Sequence, residues 1–189
     1  MTYDNEMIEG RLCQWLSGME HFTLPEWDAL PQLELYMDQV IILLKQYLAP
    51  LYRDADDKAI TASIINNYVR MKVMPAPVKK KYGRAHIACL IIICMLKQSL
   101  SISCIQKILP ADHSEEQIRQ LYHDFVHQYR GVQTIFLSQA RSDGDSLPSA
   151  GSLLTSCAII SNLSTGLTEY LLHEQMQEPA GKKGKNAGE

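Results

Sequence analysis

Residues 87–96, Ile-Ala-Cys-Leu-Ile-Ile-Ile-Cys-Met-Leu, form the strongest apolar run in the chain, and no charged side chain interrupts it. A helix that is apolar around its whole circumference belongs inside a core or a membrane. Ten residues are half of the about twenty that a membrane span requires. The run therefore predicts a buried helix over residues 84–98. Residues 146–168 also lack charge, but they are rich in Ser, Thr, Asn and Gly, and they too predict a buried helix rather than a span. With 46% hydrophobic and 21% charged residues, the chain has the material for a core and is not of disordered composition. Its 189 residues suit one domain, or one domain with a helical extension. The opening residues are polar and acidic, unlike a secretory signal, so a soluble cytoplasmic protein is expected, with no membrane partner.

The remaining periodicity is helical, and an all-α fold follows. Residues 1–31 read as an N-terminal helical arm, with a helix near residues 6–19 and breaks at Pro25 and Pro31. Leu33, Leu35, Tyr36, Val40, Leu43, Leu44, Tyr47, Leu48 and Leu51 recur at helical spacing and predict one long amphipathic helix. A polar loop over residues 53–58 comes next. A short helix starts at residues 60–61, capped near Thr61 or Ala59, with Ile64, Ile65, Tyr68 and Val69 turned inward. Pro75 and Pro77 must end it, since proline lacks an N–H and constrains the residue before it. Residues 78–82 form a short basic connection and offer the only candidates for strand. Ser101 caps a short helix running to Leu109. Ser114 and Gln117 make a capping box for an amphipathic helix whose inner stripe runs from Ile118 through Tyr122 and Tyr129 to Phe136. Residues 141–148 break the pattern, residues 152–176 support a last helix, and residues 178–189 read as a disordered tail. Four segments result: the arm, a module over residues 32–111, a C-terminal helical region over residues 112–177, and the tail.

Charge is distributed unevenly. Residues 58–111 hold nine of the eighteen Lys and Arg residues and none of the twenty-one Asp and Glu. A net charge of only -3 hides this segregation. One module thus carries a positive field, and a polyanion is its natural partner. Other chemistry is sparse. The five cysteines contain no C-x-x-C pair and read as buried, reduced thiols. His123 and His127 are four apart but lack a third ligand, so they read as solvated, and no metal or cofactor is expected. The serines of residues 99–103 read as a helix cap, because no glycine elbow surrounds them. Trp15 and Trp27 read as packing anchors. Without a phosphate-cradling loop, paired carboxylates or a Cys-His dyad, no enzyme is expected.

Ile64-Ile65-Asn66-Asn67-Tyr68-Val69, followed by Val73-Met74-Pro75-Ala76-Pro77, resembles the second helix of MerR-type regulators. Tyr82, Ile87, Leu90, Ile93, Leu96, Lys97, Ser101, Ile105 and Leu109 continue the resemblance. More narrowly, Leu35-Tyr36-Met37-Asp38-Gln39-Val40, Asn66-Asn67-Tyr68-Val69 and the segment from Pro77 to Tyr82 are similar to the bacterial, Firmicutes-type family of domain of unknown function 1836. This likeness covers roughly residues 30–110. It implies a MerR-like helix-turn-helix with a reduced wing, followed by a helical dimerisation or effector region. The departures are specific: Asn66 and Asn67 stand where MerR proteins usually place Arg, the wing shrinks to residues 78–82, the first helix is long, and the metal-sensing cysteines have no counterparts.

On this reading the recognition helix spans about residues 61–72, with Thr61, Ala62, Ser63, Asn66, Asn67 and Arg70 outward. Asn pairs bidentately with adenine and Arg with guanine in the major groove. Lys72, Lys79, Lys80, Lys81 and Arg84 would grip phosphates, supplying affinity without sequence information. Tyr82 joins this DNA-contacting set. The expected function is a sequence-specific DNA-binding transcriptional regulator that acts as a homodimer on double-stranded DNA. The stripe from Ile118 to Phe136 and the last helix would serve dimerisation or a small-molecule effector. The alternative is a helix-turn-helix-derived protein-interaction module without DNA binding, which the short wing and the acidic remainder favour.

Overall fold

The structure, a computed structural model, describes residues 5–52, 60–142 and 150–174. Along the chain come α1 (Asn5–His21), a 3-10 turn (Trp27–Ala29), β1 (Leu35–Tyr36), α2 (Met37–Leu48), a second 3-10 turn (Ala49–Leu51), α3 (Ala62–Arg70), β2 (Lys81–Tyr82), α4 (Arg84–Leu96), α5 (Ile102–Ile108), α6 (Glu115–Ser142) and α7 (Ala150–Glu174). The protein is mostly helical, and its one described sheet is the antiparallel pair β1–β2, with Leu35 opposite Tyr82 and Tyr36 opposite Lys81. The first four residues of the arm, the polar loop with Lys58, most of the break over residues 141–148, and the tail fall outside the described residues.

The apolar run forms the centre. Every residue of α4 from Ile87 to Cys94 is buried, and the helix packs between α2 and α6. Each Ile or Leu taken fully out of water there contributes roughly 1.5–3 kcal/mol. The same hydrophobic cluster takes Val40, Leu44 and Leu48 from α2, and Ile118, Tyr122 and Val126 from α6. It also takes Met19, Phe22, Leu24 and Leu30 from the arm. Polar bonds hold the arm in place. Tyr122 Oη donates to Pro25 O at 2.8 Å, and Gln133 Nε2 donates to Phe22 O at 3.0 Å and to Met19 O. Both tryptophans pack on α6, Trp15 edge-on to Phe136 and Trp27 against Tyr122.

Three expectations need correction. The helix predicted from Leu33 starts only at Met37. Gln39 Oε1 accepts the Tyr36 backbone N–H at 2.9 Å and fixes the start of α2, while Leu35 and Tyr36 pair with β2. Leu33 is 80% exposed and lines no helix face. The cysteines divide: Cys89 and Cys94 are buried, Cys104 is half-buried, and Cys13 and Cys157 are exposed. Finally, α7 is not buried, and its apolar side chains from Ile159 to Leu171 lie largely in solvent. Among the described residues, no helix is long and apolar enough to cross a membrane.

Candidate nucleic-acid interface

Thr61 starts α3. Its Oγ1 accepts the Ile64 N–H at 3.3 Å, satisfying one of the free donors of the first turn. Ile65 and Tyr68 are buried beneath the helix, which packs on α2. Ser63, Asn66 and Arg70 are exposed on the opposite side, while Thr61, Ala62 and Asn67 are half-buried. Arg70 and Asn67 are already joined. Arg70 Nη2 donates to Asn67 Oδ1 at 2.7 Å, and Asn67 Nδ2 donates to Met71 Sδ at 3.4 Å. Asn66 has no such local partner among the described residues.

A Schellman motif ends α3. Val73 N–H donates to Tyr68 O and Lys72 N–H to Val69 O, both at 3.0 Å. The residue that turns the chain is Lys72, at φ 56°, where glycine is usual. Val73, just beyond it, is fully buried and anchors the motif. The chain then passes through Pro75 and Pro77, and His86 Nε2 lies 3.2 Å from Ala76 O, tying this loop to α4. From Val78 to Lys81 it makes a two-residue turn closed by Lys81 N–H donating to Val78 O at 2.9 Å. Both central residues have positive φ, Lys79 at 49° and Lys80 at 64°, the pattern of a type I′ turn, which favours Asn-Gly. Three of the four described non-glycine residues with positive φ are therefore lysines of the basic segment; the fourth is His113.

Lys72, Lys79 and Lys80 are exposed. Among the described residues, no carboxylate lies within ion-pair distance of these three or of Arg70. Lys81 is less free, with Nζ 3.8 Å from Glu34 Oε2 and 5.9 Å from the centre of the Tyr36 ring. An open cleft of about 520 Å³ lies between the ends of α3 and α5, lined by Arg70, Lys72, Met74, Gln106 and His113 among others. Gln106 Nε2 donates to Met71 O at 3.3 Å and binds α5 to the turn that carries Lys72.

Two residues of the expected contact set are placed elsewhere. Tyr82 is 2% exposed, packs edge-on against His86 and belongs to the core, so its ring does not join the outer surface. Burial also raises its phenol above the ordinary pKa. Pairing β2 with β1 dictates this, since adjacent strand residues point to opposite sides and Lys81 takes the outer one. Arg84 turns toward the arm. Its guanidinium lies 5.7 Å from the centre of the Trp27 ring and Nη1 is 3.6 Å from Asp28 Oδ1, while Nε is buried without a partner. The geometry brings together Ser63, Asn66, Asn67 and Arg70 on one helix, with Lys72 at its end and Lys79 and Lys80 at the tip of the following turn. What could not be read from residue spacing was the left-handed backbone at the lysines, since no glycine or asparagine marks those turns.

The class defined so far is a mostly helical protein with an acid-free basic segment displayed on a short helix and a tight two-stranded turn. The chain belongs to the family described as Domain of unknown function (DUF1836), whose profile matches residues 25–125. No curated protein and no solved structure matches the chain.

Proposed function

We propose that this protein is a sequence-specific DNA-binding transcriptional regulator of MerR-like helix-turn-helix type, acting as a homodimer. One observation carries the reading: Lys72, Lys79 and Lys80, exposed and without acidic partners among the described residues, all occupy left-handed backbone positions that glycine or asparagine would fill at lower cost. Lysine at three such places sets three positive charges at exposed turns despite a backbone cost. The phosphate backbone is the ligand that rewards unpaired lysines beside a helix bearing Ser63, Asn66 and Arg70. The order of elements supports the same reading. Helix α2 is followed by α3 as the reading helix, β2 paired back to β1 takes the place of a reduced wing, and α4 and α5 come after it.

The test is a mobility-shift titration against random and genomic duplexes across salt concentrations. Changing Lys79, Lys80 and Lys81 together to Ala should weaken binding to all sequences and flatten the salt dependence. A wild-type protein that retains no duplex at low salt would end this reading. The alternative, an interaction module derived from a helix-turn-helix, is favoured by the Asn67–Arg70 bond, which occupies two of the candidate base-reading groups within the helix. Protein partners captured with and without nuclease treatment distinguish the two: partners that survive nuclease, with no DNA recovered, favour the module.

A further inference from the structure

Helix α7 carries apolar side chains on more than one side, and most of its large ones point away from its own chain. Among residues 154–173 only Thr165, Thr168 and Leu172 lose part of their exposure. This stripe faces the body of the molecule, where α7 meets α1 and α5. Lys107 Nζ of α5 donates to Leu172 O at 3.4 Å and fastens the last turn. Roughly opposite lie Ile159, Ile160, Leu163, Leu167, Tyr170 and Leu171, each between 53% and 66% exposed. At about 100° per residue these six fall within an arc of about 120°, the broad stripe of a helix built to be covered.

We propose that a second copy of the chain covers this arc, α7 packing on its counterpart across a two-fold axis. Taking roughly 170 to 220 Å² for a whole side chain of these types, the exposed fractions amount to on the order of 600 Å² of apolar surface. Homodimer interfaces are about 65% apolar. A standard stable interface of about 800 Å² per partner then needs on the order of 520 Å² of apolar surface, which the arc carries when all of it is covered. Its chemistry also fits a copy of itself. Residues 150–174 contain no Lys or Arg, which removes the attraction for anionic lipid that interfacial helices use. A neutral apolar stripe is self-complementary, as an isologous contact requires. Gly166 has no neighbouring atom within 4 Å of where a Cβ would stand, so the backbone there is open to close approach.

The α6 stripe expected to share this role is spent within the chain at its start, where Ile118 and Tyr122 are buried, while Val132 and Phe136 at its other end are exposed. Helix α5 links the dimer face to the basic surface, with Lys107 bonded to α7 and Gln106 to the turn after α3. The dimer would then set the spacing of two α3 helices, a deepening that rests on the DNA-binding reading. The α7 contact itself is tested without DNA, so either can fail alone.

The experiment is light scattering on the full chain after size exclusion, without DNA. The wild type should give twice the 21.4 kDa chain mass. Leu163→Glu with Leu167→Glu should give 21.4 kDa with unchanged helical circular dichroism. Leu154→Glu, on the same helix but off the arc, should keep the doubled mass. If the first pair loses helicity, Ile160→Lys with Leu171→Lys serves instead. A wild type that stays at the single mass up to its solubility limit overturns the proposal, as does a doubled mass that survives in a folded arc variant. Monomeric wild type that floats with phosphatidylcholine vesicles overturns it too, and assigns the arc to lipid.

Discussion

Replacing Lys72 by Gly, Lys79 by Asn and Lys80 by Gly in one variant should make the protein more stable and a worse ligand for DNA. All three positions have φ between 49° and 64°. Left-handed backbone costs an ordinary L-residue about 1–2 kcal/mol. Glycine returns about 0.5–1 kcal/mol of that through its freer unfolded chain. The net gain is thus about 0.5–1 kcal/mol per site, or about 2 kcal/mol for the three. At this chain length, each kcal/mol moves the midpoint by about 2–4 °C, so Tm should rise by about 4–8 °C. None of the three side chains has an ion-pair partner among the described residues to offset this gain. Binding should move the other way. Each phosphate contact contributes about 0.9 to the slope of log affinity against log salt, so losing three per chain should flatten it by about 2.7 for each chain bound, or about 5.4 for a dimer. Thermal denaturation and fluorescence anisotropy against one duplex at several salt concentrations measure both effects. An unchanged or lowered Tm would refute the strain argument, and an unchanged slope would refute the phosphate contacts.

Other consequences are more local. Asn66→Ala should reduce discrimination between a selected duplex and a scrambled one by about 1–3 kcal/mol, read by competition, while leaving the salt slope unchanged. Asn67→Ala should act mainly by releasing Arg70 from its 2.7 Å bond, so its effect should shrink in an Arg70→Ala background. Tyr82→Ala should cost about 3–5 kcal/mol in urea denaturation as a core truncation, whatever its effect on DNA. Stability should also depend on alkaline pH. Burial raises the Cys89 and Cys94 thiols from 9.0 to about 12, so the folded state holds protons that the unfolded chain releases. Their contribution is complete below about pH 9 and is lost as pH rises toward 12, so the urea midpoint should fall across that window. Cys89→Ala with Cys94→Ala should flatten this fall.

The parts of the fold that could be read from sequence are those set by a single dominant force. An uninterrupted apolar run has only one favourable destination in water, and α4 lies there with its whole circumference covered. Helix caps were equally readable, because Thr61, Ser101 and Ser114 each bond the backbone three residues on, a purely local geometry. Features that depend on two distant segments were not. Leu35 and Tyr36 show helical spacing with Val40 and Leu44, and only pairing with residues 81–82 makes them strand. The same pairing sends Tyr82 inward, and the Trp27 ring with Asp28 draws Arg84 off the surface.

The candidate site shows the same division. The absence of acids over residues 58–111 is a property of composition and survives folding, because no long-range contact can add a carboxylate to that segment. Which of its cations stay free is a property of the fold. Arg84 finds Asp28 on the arm and Lys81 finds Glu34 just before β1, whereas Lys72, Lys79 and Lys80 are held out by turns whose backbone they fit poorly. For α7 the residue pattern marks a helix, but lack of charge over residues 146–168 suggests burial, and a sequence cannot say whether its own chain covers that helix. The intrachain contacts of Thr165, Thr168 and Leu172 leave Leu163 and Leu167 outside, on the face proposed to meet a second copy.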